Sequence, residues 1–233
     1  MWEEYLVDRV AGPDAITNVV AAKSDAWNDD GIVKANTMIQ QLVDAGGFGT
    51  DFNSVVADSN ADIALLYTGK AGFLLQGAWA YSTFQTAAAD FTSSSLGFTS
   101  FPTVDGGKGD ASNIVGNVSG YFSVSSKASS GAQQTAINFL NKGIFDDAHV
   151  QRLLKNGQVP PIKGVSSQIS GGTSTFLGNT ADMIDKAKNF QMSWDQALTS
   201  APATALLSNL DKLFSKQITP SAFSDAMNKT IGQ

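Results

Sequence analysis

Four tryptophans, Trp2, Trp27, Trp79 and Trp194, are the side chains of this sequence with the most to offer a ligand, and two stand in polar company. Trp79 follows Leu75-Gln76-Gly77-Ala78 and precedes Ala80-Tyr81, so a short apolar run ends in glycine and delivers an aromatic at its tip. Trp194 lies within Gln191-Met192-Ser193-Trp194-Asp195-Gln196, ringed by amides and a carboxylate. A flat aromatic beside neutral or acidic hydrogen-bonding groups is what a sugar needs. Its C–H face packs on the ring while its hydroxyls meet the polar partners. Core packing is the competing reading for any one tryptophan, and Trp2 and Trp27 are assigned to it.

Other chemistry is poorly provided for. Without cysteine there is no disulfide framework, no thiolate zinc site and no cysteine nucleophile. His149 is the single histidine, which rules out any two-histidine metal site and reads as a helix-surface residue. Asp58-Ser59-Asn60-Ala61-Asp62 starts like a calcium loop, but Ile63 stands where glycine belongs and Gly69 where the bidentate glutamate belongs. Gly69-Lys70 and Gly107-Lys108 lack the Ser or Thr and the preceding glycine of a phosphate loop. Ser119 misses the G-x-S-x-G nucleophile elbow by one position. A glycosidase pair of carboxylates has many aspartates to draw on, yet most sit at helix starts or turns, where aspartate caps.

The net charge of −6, with only Glu3 and Glu4 against 19 aspartates, offers no basic footprint for nucleic acid. No apolar run approaches the roughly 18 residues of a membrane span. Met1-Trp2-Glu3-Glu4-Tyr5 is acidic and amphipathic, unlike an export signal.

The elements that must position these residues are mostly helices. Helical spacing runs over 2–10, from an Asn28 or Asp29 cap to Ala45-Gly46-Gly47, over 62–67, 133–141, 146–156, 180–190, 193–212 and 220–230. Pro202 is expected to kink or divide the second-last of these. Strands are predicted at 72–76, 97–101 and 121–125, and a loop at 106–110. The whole is an α/β fold, helix-rich with a small mixed sheet: either one small sheet carries many helices, or part of the sheet is missing from this chain.

Gly69-Lys70-Ala71-Gly72-Phe73-Leu74-Leu75-Gln76-Gly77-Ala78-Trp79 resembles the "GKAAM…G-W" segment of extracellular solute-binding proteins of carbohydrate ABC transporters, the broad maltose-binding-protein group. The order of further marks is similar. These are Gly46-Gly47-Phe48, Phe101-Pro102 before a Gly-rich loop, Ser123–Lys127 before a helix ending Phe139-Leu140, then Val159-Pro160 and Ser193-Trp194. The flavour is nearest to xylo-oligosaccharide or related β-glycan binders. The resemblance implies an incomplete type II periplasmic-binding-protein-like fold, with residues 1–113 and 166–233 in the C-terminal lobe and 114–165 crossing into the N-terminal lobe. It further implies a truncated form, because members carry a complete N-terminal lobe, a signal peptide and usually a lipid-anchoring cysteine.

By the same resemblance the protein is a receptor subunit and no enzyme, and uses no cofactor or metal. It captures a neutral oligosaccharide between lobes that close about a hinge, and delivers it to permease subunits from the outer face of the membrane or the periplasm. It works as a monomer when complete. Trp79 and Trp194 match stacking positions, with Gln76, Tyr81 and Asp195 as hydrogen-bonding neighbours and Asn117 beside the crossing. A glycan-active hydrolase and a helical interaction domain without a small ligand are the alternatives.

Overall fold

The structure, a computed structural model, describes all residues except 118–120, 161, 164, 170–174 and 233, so Ser119 lies outside the described residues. The chain divides into two compact units. The first comprises Met1–Leu75, Thr99–Asn117 and Lys186–Gln233, and the second Gln76–Phe98 and Val118–Asp185. The expected boundaries at 113 and 165 therefore shift, because Gln76–Phe98 packs with the later segment and that segment runs on to Asp185.

In the first unit α1 (Trp2–Ala11) is buried on nearly all sides, unlike an ordinary amphipathic helix. α2 (Pro13–Val20) and α3 (Asp30–Asp44) follow it. Asp29 caps α3 by accepting the Gly31 N–H at 2.8 Å, and Ile32, Ala35 and Ile39 recur on the face it buries. α4 (Ala61–Tyr67) lies in the same unit, as do α11 (Trp194–Ala197), α12 (Ser200–Phe214) and α13 (Pro220–Asn228) near the C-terminus. Thr219 caps α13 and Pro220 opens it, where the missing N–H costs nothing. Pro202 is in the first turn of α12, so it breaks no helix; the division falls at Leu198 and Thr199 instead. Leu6, Val7, Ile16, Val19, Trp27, Ile32, Ile39, Trp194, Leu206, Leu213, Phe223 and Met227 form one core.

The second unit holds α5 (Ala80–Ala87), α6 (Ala89–Ser94), α7 (Ser130–Lys142), α8 (Asp147–Lys155), α9 (Val165–Ile169) and α10 (Thr175–Lys186), whose last residue belongs to the first unit. Its core is smaller: Val150, Leu154, Ile169, Phe176, Leu177 and Ala181, with Tyr81 packed against it. The sequence pattern turns Ala136, Ile137 and Leu140 of α7 inward, yet no residue of α7 is buried.

Among the described residues the only strands are β1 (Ile114–Gly116) and β2 (Phe190–Met192), a parallel pair in the register Ile114–Phe190, Val115–Gln191 and Gly116–Met192. The predicted strands at 72–76, 97–101 and 121–125 are irregular. Strand-like sequence becomes a strand only where another strand pairs with it, and among the described residues the only strand pairing is that of β1 with β2. The mixed sheet of the sequence reading is thus a two-stranded parallel one.

The Gly-rich loop 106–109 has a structural task. Lys108 N–H donates to Val10 O at 3.3 Å and Gly109 N–H to Arg9 O at 3.2 Å, closing the C-terminal end of α1. A Cβ at Gly107 or Gly109 would sit 2.1 Å from a helix carbonyl oxygen. The loop meets the negative end of a helix dipole, the wrong end for a phosphate.

Candidate functional site

α1 fixes the strand ends. Tyr5 donates its hydroxyl proton to Val115 O in β1 at 3.3 Å, and Glu4 Oε1 accepts the Trp194 N–H just after β2 at 2.5 Å. Arg9 and Asp8, both buried, pair at 2.5 Å. Asn113 donates to Asp8 Oδ1 at 2.9 Å, and Arg9 Nη2 donates to Asn113 O at 3.1 Å and, more weakly, to Ala111 O and Phe101 O. The residues leading into β1 are therefore held to α1 by a buried, hydrogen-bonded ion pair.

Beyond the carboxyl ends of the two strands, Asn117 and Asp195 are exposed on either side of Ser193. Ser193 N–H donates to Gly116 O at 3.1 Å, continuing the ladder. Ser193 Oγ lies 2.5 Å from Asp195 Oδ1 and also meets the Asn117 side chain. The serine has one proton for two neighbours. If it donates to Asp195 while the Asn117 amide donates to its oxygen, all three groups are satisfied. Ligands of open parallel sheets bind outside the carboxyl ends of the strands, and this trio occupies that position. Asn117 and Asp195, expected separately, are brought together here; Ser193 is the member that the sequence reading passed over.

Trp194 is corrected. It is fully buried, edge-on to Trp27 at 4.9 Å and 73°, and offers no face to a sugar. Its polar neighbours misled because α11 is amphipathic: Asp195 and Gln196 turn outward from the same short helix that carries Trp194 inward.

In the second unit Trp79 stands at the N-cap of α5, 56% exposed. Its indole folds back over Gly77, where a Cβ would lie 2.0 Å from the ring, so the G-x-W spacing has a steric cause. Gln76 is half-buried, and its Oε1 accepts the Gly77 N–H at 3.0 Å, steadying the turn under the indole. Tyr81 is half-buried and its ring is committed to packing: it stacks on Phe176 at 4.1 Å and 11°, and meets Phe98 edge-on.

A hollow of about 350 Å³ lies along α5, lined by Ser82, Thr83, Gln85, Thr86, Asn156 and Gln158. The sequence reading missed these residues, although Ser82, Thr83 and Thr86 follow Trp79 at i+3, i+4 and i+7, the spacing of one helix face. Among the described residues no three His, Cys, Asp or Glu side chains gather to hold a metal ion.

The chain has structural counterparts among solved proteins. It superposes with a TM-score of 0.80 and 23% identity on a chitin oligosaccharide binding protein, over 98% of this chain and 55% of that one. It also superposes with a TM-score of 0.79 and 22% identity on a chain solved in work on xylan utilization by the thermophilic bacterium Caldanaerobius polysaccharolyticus, over 99% of this chain and 57% of that one. The chain shares their fold. It spans little more than half the length of either. No family model matches the sequence, and no curated protein does.

Proposed function

We propose that this chain is the ligand-binding part of a sugar receptor that captures a neutral oligosaccharide and hands it to the permease subunits of an ABC importer. The reading rests above all on one observation: nearly the whole chain follows the fold of a chitin oligosaccharide binding protein. Local chemistry supports it. Trp79 exposes its indole above Gly77, and the hollow along α5 has only uncharged hydrogen-bonding side chains. A stacking ring with hydroxyl and amide partners suits a pyranose and gives little hold on an anion.

The receptor has the type II periplasmic-binding-protein-like architecture, acts as a monomer when complete, and works at the outer face of the membrane or in the periplasm. Its action is binding without catalysis. A glycosidase sets two carboxyl groups roughly 5–9.5 Å apart across the scissile bond. The Asn117–Ser193–Asp195 trio holds one carboxylate, engaged with a serine and without a paired cation among the described residues.

Tryptophan fluorescence titrated with xylobiose, chitobiose, cellobiose and maltose tests this. A saturable change that vanishes in Trp79→Ala and persists in Asp195→Asn is the expected result. A folded chain that responds to none of the sugars, or a Trp79→Ala variant that responds unchanged, would refute the reading.

A further inference from the structure

The hollow along α5 is more than a surface irregularity, because its two walls are held in place. Gly157 follows α8 in the left-handed conformation (φ +74°), and a Cβ there would lie 2.4 Å from the Tyr81 ring. Only glycine lets this turn close on Tyr81, and Tyr81 is fixed in turn by its stack on Phe176. The turn therefore presents Asn156 and Gln158 opposite Ser82, Thr83, Gln85 and Thr86 of α5.

The walls differ in what they offer. Ser82 Oγ donates to Trp79 O at 2.9 Å, and Thr86 Oγ1 donates to Ser82 O at 3.0 Å. With those protons committed to the backbone, both hydroxyl oxygens keep acceptor lone pairs to offer. The amides of Gln85, Asn156 and Gln158 supply N–H donors as well as carbonyl acceptors. None of the six carries a charge, and the volume of about 350 Å³ falls within the range of small-ligand sites. Ser82 stands about one helical turn beyond Trp79 on the same face of α5.

We propose that the groove formed by α5 and the Asn156–Gln158 turn is an accessory saccharide site, which binds uncharged, hydroxyl-bearing sugar units flanking the unit stacked on Trp79. The proposal rests on the saccharide reading above. It adds that longer chains are held better than short ones, and that uronic-acid units gain nothing from the groove.

Saturation-transfer NMR on the 233-residue chain separates the two ideas, using xylo- and chito-oligosaccharides of two to six units. The double variant Gln85→Ala/Asn156→Ala removes two exposed side chains, and circular dichroism verifies its fold. About fivefold weaker binding of the longest oligosaccharides, with two-unit binding unchanged, is the expected result for lost neutral hydrogen bonds. Unchanged binding at every length overturns the groove while leaving Trp79 and the receptor reading intact. Equal weakening at every length overturns it too, since the loss would then lie at the stacking site. Silence of the wild-type chain toward all of these sugars would remove both proposals.

Discussion

The two units have spent their apolar side chains differently. In the first, Trp27, Trp194 and Phe223 meet inside one core, and even the ionisable side chains of Arg9, Asp8 and Glu3 are buried. In the second, Tyr121 is 72% exposed, Phe122 70% and Phe139 61%, while α7 buries nothing. The first unit also leaves Phe73 86% exposed, but it surrounds a larger buried core than the second. Close to half of each solved relative has no counterpart in this chain.

The contrast can be broken most strongly from inside the first unit. Asp8→Ala strands Arg9 as a buried charge and is expected to cost roughly 3–5 kcal/mol in urea unfolding. Trp194→Ala opens a cavity against Trp27 and should cost a similar ~3–5 kcal/mol.

Glu3 sharpens the comparison through pH. Burial, reinforced by the neighbouring charge of Glu4, raises its carboxyl from 4.5 to about 8. Between those values the folded chain keeps a proton that the unfolded chain has released, so the unfolded state binds fewer protons. Stability of the first unit therefore falls as pH rises from about 4.5 to 8 and levels off above. Glu3→Gln should flatten that slope in melts followed by circular dichroism, and an unchanged slope would refute the assignment.

The smallest effects belong to the second unit. Phe139→Ser and Trp79→Ala both alter exposed rings and should stay within about 0.5 kcal/mol of the parent in the same urea unfolding. Phe139→Ser should also lower the binding of a hydrophobic dye, because it removes bare apolar surface. Amide exchange followed by mass spectrometry should find α7 exchanging well before α3.

Much of this was legible in the sequence, for reasons particular residues make plain. Asp29 and Thr219 cap α3 and α13 because a short side-chain oxygen reaches free N–H groups locally, with no tertiary context needed. α5 escaped notice because its buried contribution is only Ala80 and Phe84, too little for an apolar stripe. β1 and β2, at three residues each, carry no alternation to read, and their pairing depends on partners 76 residues apart. Trp194 was misjudged from its neighbours in sequence, whereas its environment is set by Trp27 from the far end of the chain. Asn117 and Asp195 were named singly; Ser193, which joins them, is visible only once the strands lie side by side.

α1 imposes a timetable on synthesis. It is made well before its partners, for the Tyr5 hydroxyl waits for a carbonyl 110 residues later and Glu4 for an amide 190 residues later. Arg9 and Asp8 have no reason to leave water until 101–113 arrives to satisfy them. Contacts this distant in sequence make for slow folding, because the loops must close before any contact rewards them. The polar side chains of α1 therefore keep water as their partner until residues 101–115 and Trp194 have been made.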